Sequence, residues 1–323
     1  MAVAANVLET YDSKTIREDL SDAENMITPT ETPFLSSIVK KGSASNTKHE
    51  WPLTELGAVD TANAVAEGQS APSLDAPVVA SRRANYTQIM DKMITVSDTS
   101  QKVDGAASIE KFAKQISYKL KELKRDKEAN LLANVAAVPG AAQAATTRLM
   151  AGFEAFIITN ASRGATGAAP TLSGTTDGYP NGAHTPGTGR AITEDIFNTL
   201  MQSCWTQGGE VKYVIVGPAT KRTISKTFNG YATKYKEADS KKLVNAIDVY
   251  ESDFGQVQIV PDRFSNAASA LFIDPEFCML TELQPTRQLD LARTGHAENK
   301  LIQWEGCLEI GNEKACGIIS AIS

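Results

Sequence analysis

Histidine is the commonest acid, base and metal ligand, and this chain has three, His49, His184 and His296, far apart in sequence and without a close ligand partner. His49 and Glu50 begin an HExxH pattern, but position 53 is Leu53, so the second zinc-binding histidine one helical turn on is missing. Gly187, Thr188 and Gly189 supply half of a GxGxxG turn, with Ile192 in the third glycine position and no strand ahead of it. The stretch Gly217 to Thr223 carries Lys221 but neither the second glycine nor the Lys-Thr pair of a phosphate loop. No GxSxG elbow positions a serine nucleophile. The cysteines, Cys204, Cys278, Cys307 and Cys316, form no CxxC pair and read as reduced thiols of a cytosolic product. Cys204 falls on an apolar helix face and Cys316 in an apolar strand, where a thiol is inert. The expectation is a chain without catalytic residues, cofactor or metal ligands, whose histidines are surface or packing residues.

One charged constellation stands apart. Between Lys212 and Lys242 lie Lys221, Arg222, Lys226, Lys234, Lys236 and Lys241, against only Glu237 and Asp239, which leaves the segment at +6. Phe228, Tyr231 and Tyr235 are interleaved, so the segment could meet nucleic acid or an acidic neighbour. The plainer reading is a basic face that balances acidic parts of an assembly. The whole chain carries −6 with an isoelectric point near 5.3, which argues against a dedicated nucleic-acid binder.

The elements that would position these residues are uneven. At 323 residues, with 42% hydrophobic and 22% charged residues, the chain buries a sizeable core in one large or two moderate domains. No apolar window reaches the roughly 18 residues of a membrane span, and Met1 to Glu9 shows no export signal. Residues 1–56 read as a proline-broken arm, acidic at −5 over its first 35 residues, either solvated or lying over a neighbour. Residues 57–98 read as a long hairpin around Glu67 to Pro72, too poor in apolar surface to be stable alone. The strongest helical period runs from Ala106 to Val135 through Ile109, Phe112, Ile116, Leu120, Leu123 and Leu131, about 45 Å of helix. It carries +3, so setting it and the Lys212–Lys242 segment aside leaves −15 on the rest.

Residues Arg148 to Asn160 predict another helix, and 161–190, rich in Gly, Ala, Thr and Pro, an exposed loop. Thr193 caps a helix with Phe197, Leu200, Met201 and Cys204 on one face; a strand over Val211–Val216, a helix opened by Pro218, a hairpin across Asp253-Phe254-Gly255 and a strand Ala270–Ile273 follow. At the end Ile302, Trp304, Leu308 and Ile310 share one strand face, and Ala315 to Ile319 is expected to pair with them. The class is α+β, with an early helix and late strands closing one discontinuous domain around an inserted one.

That order of segments resembles the Hong Kong 97-type (HK97-like) capsid fold. The local residues are similar to the SU10-like branch of phage major capsid proteins: Thr32-Pro33-Phe34 in the arm, Glu67-Gly68 in the loop, RLMAGFEAFIITN over Arg148–Asn160, and Val249 to Gly255 with Val257 and Ile259 behind it. The resemblance implies an N-terminal arm (1–56), an extended loop (57–98), a peripheral domain with its spine helix (99–190 and 275–323) and an axial domain (191–274). It implies a shell subunit that forms hexamers and pentamers of an icosahedral phage head around double-stranded DNA, assembled in the host cytoplasm and resident in the virion. Phe34, Trp51, Glu67, Arg82, Arg83 and Tyr86 are then candidate intersubunit contacts, and Lys221, Arg222, Lys226, Lys234, Lys236, Lys241 and Lys242 a DNA- or neighbour-facing cluster. Partners implied are a portal protein, a separate scaffolding protein, since little chain precedes Thr32, and a decoration protein. Residues 49–91 contain no lysine, so the loop lacks the donor of the crosslink some relatives form. An encapsulin-like nanocompartment of the same fold is the alternative. A hydrolase with an unrecognised site and an adhesin or tail component compete from other classes.

Overall fold

The computed structural model describes residues 27–68, 77–103, 111–141, 146–174, 177–228, 248–293 and 295–323. The acidic residues before Ile27, the loop tip Gln69 to Pro72, the expected helix start from Ala106 to Glu110, and Lys234, Lys236, Lys241 and Lys242 lie outside the described residues.

Alternating apolar residues near the C-terminus build the first sheet. Strand β12 (Cys278–Asp290) pairs antiparallel with β13 (Ala297–Ile310), which pairs antiparallel with β4 (Gln88–Ser97), while β1 (Lys40–Ser43) runs parallel to β12 at the edge. Ile302, Trp304, Leu308 and Ile310 are all buried as their shared parity requires. Gly306 lets the Trp304 ring lie across the strand, because a Cβ there would stand 2.6 Å from the ring and 2.7 Å from the Thr281 carbonyl. Both faces of this strand are covered, so Glu305 and Glu309, of the opposite parity, are buried too.

Helix α2 (Phe112–Leu132) packs on β4 and β13. Its described 21 residues span about 32 Å at 1.5 Å per residue. The expected extension to Val135 fails: Ala133 already has extended dihedrals, Val135 is exposed, and Val138 exchanges backbone hydrogen bonds with Leu149. The helix expected over Arg148–Asn160 shrinks to one turn, α3 (Phe153–Phe156). The centre of that run, Met150–Ile157, is buried on every side, where periodicity cannot tell helix from other buried chain, and the Ile158 and Thr159 N–H groups donate to Glu313 instead of to helix carbonyls.

The hairpin also lies elsewhere than expected. Strands β2 (Lys48–Leu53) and β3 (Ser81–Tyr86) form it, in register from Lys48–Tyr86 to Leu53–Ser81, and at Thr87 the chain leaves it to become β4. Met90 and Ile94 of β4 turn inward while Ile89 and Met93 stay half in water. The segment 161–190 is no free loop: β5 (Ala161–Ser162), β6 (Thr171–Leu172) and β7 (Pro180–Gly182) fold in it, and the Gly178 carbonyl and N–H bond Ala84 and Arg82 of β3.

A second, six-stranded sheet has the order β5, β14 (Gly317–Ile319), β11 (Ala270–Ile273), β8 (Tyr213–Val216), β10 (Gly255–Pro261), β9 (Val249–Ser252). Helices α4 (Glu194–Thr206) and α5 (Pro218–Thr227) share a core with one face through Phe197, Leu200, Met201, Cys204 and Ile224. Ile215, Leu271, Ile273 and Ile318, of opposite parity, enter the core of the first sheet. Thr193 caps α4 by accepting from the Ile196 N–H, Pro218 opens α5, and Gly255 turns the β9–β10 hairpin at φ +128°. The expected pairing of Ala315–Ile319 with the terminal strand is overturned. A 3-10 turn at Glu313–Ala315, held by Glu313 against Ile158 and Thr159, redirects the chain so that β14 pairs with β11 and β5.

Candidate functional site

Buried polar contacts decide which extended segments belong to this chain's own fold. At the base of the hairpin the Trp51 indole donates to the Ile310 carbonyl at 2.9 Å, and His49 meets Glu309 at 2.9 Å. The Asn85 amide is fully buried: its Nδ2 donates to the Leu308 carbonyl (2.7 Å) and the Ala151 carbonyl (3.2 Å), and its Oδ1 accepts from the Ala151 N–H (2.9 Å). Arg148 pairs with Glu305, which also accepts from the Thr87 hydroxyl at 2.8 Å.

Beyond this base the support ends. Every described residue of 54–68 and 77–80 is exposed, including Leu56 at 89%, Val59 at 92%, Val65 at 66% and Val79 at 82%. Five large aliphatic side chains on one projection, Val78 being the fifth, with no partner surface among the described residues, are an interaction surface by composition. Glu67 and Arg82 stand on or beside it, exposed. Arg83 is half-buried, and Tyr86 packs edge-on against Tyr179 with ring centroids 5.0 Å apart.

Two candidate contacts prove to be interior. Phe34 is fully buried in a π-helical turn (Phe34–Ile38), T-shaped to Phe153, and Trp51 is tilted against Phe156. Their apolar surface is spent within the chain, leaving none for a neighbour. The turn is fastened by Glu128 of α2, whose carboxyl accepts from the Phe34 and Leu35 N–H groups, both at 2.8 Å. Burial, and then the facing Asp262 carboxyl, push Glu128 up to about 8, against the pull of those two N–H groups. Burial raises Asp262 as well, and its Oδ2 has no hydrogen-bond partner. Each carboxyl is thereby held protonated to higher pH than a solvated one.

Of the seven candidate basic residues, Lys221, Arg222 and Lys226 lie among the described residues. Lys221 is turned inward, its ammonium donating to the Ile259 carbonyl at 2.7 Å and lying 3.3 Å from Asp248, and burial lowers its pKa. Lys212 lies 3.7 Å from Glu210. Arg222 and Lys226 of α5 are exposed.

Of the groups that could do chemistry, His184 and Glu154 form a fully buried pair at 2.7 Å. Burial pushes the Cys204 and Cys307 thiols up to about 12, and the neighbouring Cys316 sulfur, 3.9 Å away, helps hold Cys278 protonated. Among the described residues no three His, Cys, Asp or Glu side chains gather as a metal-ligand set, and no helix is long and apolar enough to cross a membrane. Sequence reasoning missed Glu128, Asn85 and Arg148. A signal for the first existed: Lys127 and Glu128 fall where the α2 stripe Leu120, Leu123, Leu131 calls for apolar residues.

A buried scaffold with an apolar projection and no converging catalytic set describes a building block, and the family model for SU10 major capsid protein matches residues 5–323. The chain belongs to that family. It is a phage major capsid protein, a component of the virion. The major capsid protein of Escherichia phage Phieco32 is 25% identical over 343 residues, covering 96% of this chain and 95% of that one. Among solved structures, the cyanophage A-1(L) capsid asymmetric unit superposes with a TM-score of 0.68 at 12% identity, over 97% of this chain and 98% of the other. The capsid of a native GTA particle gives 0.63 at 14% identity, over 97% and 98%. The SrpI encapsulin of Synechococcus elongatus gives 0.58 at 9% identity, over 98% and 96%. The capsid protein therefore has the HK97-like fold expected from its segment order.

Proposed function

We propose that the capsid protein assembles into hexamers and pentamers of an icosahedral head enclosing double-stranded DNA, with the extended loop as its main lateral contact. The observation that carries this reading is the loop itself. Leu56, Val59, Val65 and Val79 sit in water on a segment whose base is fixed by Trp51, Asn85 and His49. A fixed base aims the apolar tip at a neighbour, and the same contact repeated head to tail closes a ring. In this reading 1–56 is the arm, 57–98 the extended loop, 99–190 with 275–323 the peripheral domain and 191–274 the axial domain. Strands β5 and β14, from outside 191–274, complete the axial sheet and tie the two domains together.

The subunit acts structurally and without catalysis, with inert buried thiols in support. Its partners are further copies of itself, a portal protein, a separate scaffolding protein, a decoration protein and packaged DNA held through non-specific phosphate contacts. Deleting residues 62–80 tests the reading: the expected product is a folded subunit that builds no closed shells in negative-stain micrographs. Normal shells from the deletion would overturn it.

A further inference from the structure

Alongside α2 runs a groove of about 510 Å³ whose lining includes Leu35, Lys41, Lys124, Lys127, Glu282 and Thr286. Three ammonium groups thus face one carboxylate, and that carboxylate is engaged: Glu282 accepts from the Trp304 indole N–H at 2.5 Å. Lys127 forms the buried floor, its Nζ 2.8 Å from the Thr286 hydroxyl and 4.3 Å from the centre of the Trp304 ring. Burial lowers it to about 8, Glu282 opposes the shift and Lys41 adds to it, so a second positive charge already weighs on the floor. Lys41, on the edge strand β1, and Lys124, on α2, are exposed at the rims, and among the described residues neither has an ion-pair partner. Such a groove calls for an extended anionic ligand.

The chain carries one close at hand. The first described residue, Ile27, is wholly exposed, and Thr30 to Pro33 with Ser36 and Ser37 line an adjoining cavity of about 630 Å³ that shares Ser36 and Lys124 with the groove. Ahead of Ile27 come Glu9, Asp12, Glu18, Asp19, Asp22 and Glu24 against only Lys14 and Arg17. At about 3.3 Å per extended residue, the six residues from Thr30 back to Glu24 span at most about 20 Å, so an acidic segment attached there is within reach of the groove. We propose that this lysine groove receives the acidic segment 9–24 of this polypeptide, paired through Lys41 and Lys124. The inference goes beyond the shell reading and does not depend on it. Because the rims are exposed, each pairing is individually weak and salt-sensitive, and several in register hold the segment.

The test is zero-length carbodiimide coupling of lysine to carboxylate in the full-length protein, mapped by mass spectrometry. Crosslinks from Lys41 or Lys124 to Asp19, Asp22 or Glu24 are expected, reduced at least tenfold in 1 M sodium chloride. Lys41→Gln with Lys124→Gln removes the lysine partners without altering the fold, checked by an unchanged melting temperature. In the charge swap K41E/K124E with D19K/D22K/E24K, coupling returns with the roles reversed. Absence of these crosslinks in the unaltered chain would overturn the proposal. So would groove lysines that become protected from acylation only in DNA-filled particles, since phosphate would then be the occupant.

Discussion

The arm turn at Thr32–Ser43 and the extended loop at 54–80 look alike in composition, both short of periodic apolar residues and both interrupted by turn-formers. They end in opposite environments. The arm turn inserts Phe34 and Ile38 into the core and β1 into the first sheet, whereas the described loop residues leave their aliphatic side chains in water. The difference lies in polar partners supplied from far along the chain. Glu128 offers two acceptors to the Phe34 and Leu35 N–H groups from the interior, whereas Lys314, 2.6 Å from the Glu55 carboxylate, reaches only the near end of the loop and leaves it exposed. A segment without such partners gains nothing by folding back, and the apolar surface it keeps is available to another subunit.

The largest effect should come from breaking the interior side of that comparison. Phe34→Ala removes a fully buried ring packed on Phe153 and should destabilise the subunit by about 3–5 kcal/mol in denaturant unfolding. A loss below about 1 kcal/mol would mean that the turn is not part of the core. Asn85→Ala comes next, at about 2–3 kcal/mol, because it orphans the Ala151 N–H and the Leu308 carbonyl at the hairpin base. Asn85→Asp should not rescue it, since a carboxylate cannot donate to two carbonyls.

A third test sharpens the role of the Glu128 fastening. The folded chain holds the Glu128 proton up to about pH 8, whereas an unfolded carboxyl releases it near its ordinary value of 4.5. Between those values the folded state binds the extra proton, so stability falls as pH rises through the window, by at most about 1.4 kcal/mol per pH unit. Asp262→Asn removes the facing carboxyl and should make that slope shallower in chemical unfolding followed from pH 5 to 8. Stability that rises with pH, or a slope unchanged by the substitution, would contradict the raised Glu128 pKa. A fourth expectation concerns covalent chemistry. With no lysine over 49–91, boiled and reduced particles should run as monomer on denaturing gels, and a ladder of multimers would place a crosslink elsewhere.

Regions with one clear period were legible in the sequence. The α4 face, the strand Ala270–Ile273, the Asp253–Gly255 turn and the Trp304 face of β13 all come out where their spacing places them, α4 because it packs one side on one core. What was not legible depends on pairing partners distant in sequence. Met150–Ile157 is buried all round and so carries no period, the 161–190 segment owes its order to bonds from β3, and β14 is sent to the second sheet by a turn that Glu313 holds. Lys221 illustrates the limit for the surface: its charge suggested an outward role, and only the Ile259 carbonyl beside it shows an inward one.

The smallest effect on the isolated subunit is also the most direct test of the account. In the variant combining Leu56→Ser, Val59→Ser, Val65→Ser and Val79→Ser, only side chains at least 66% exposed change, so subunit stability should stay within about 0.5 kcal/mol of the unaltered protein. Shell formation, scored by electron microscopy of the same preparation, should be abolished or reduced to open fragments. Closed shells at normal yield from a normally stable variant would contradict the claim that the loop's exposed aliphatic surface joins one subunit to the next.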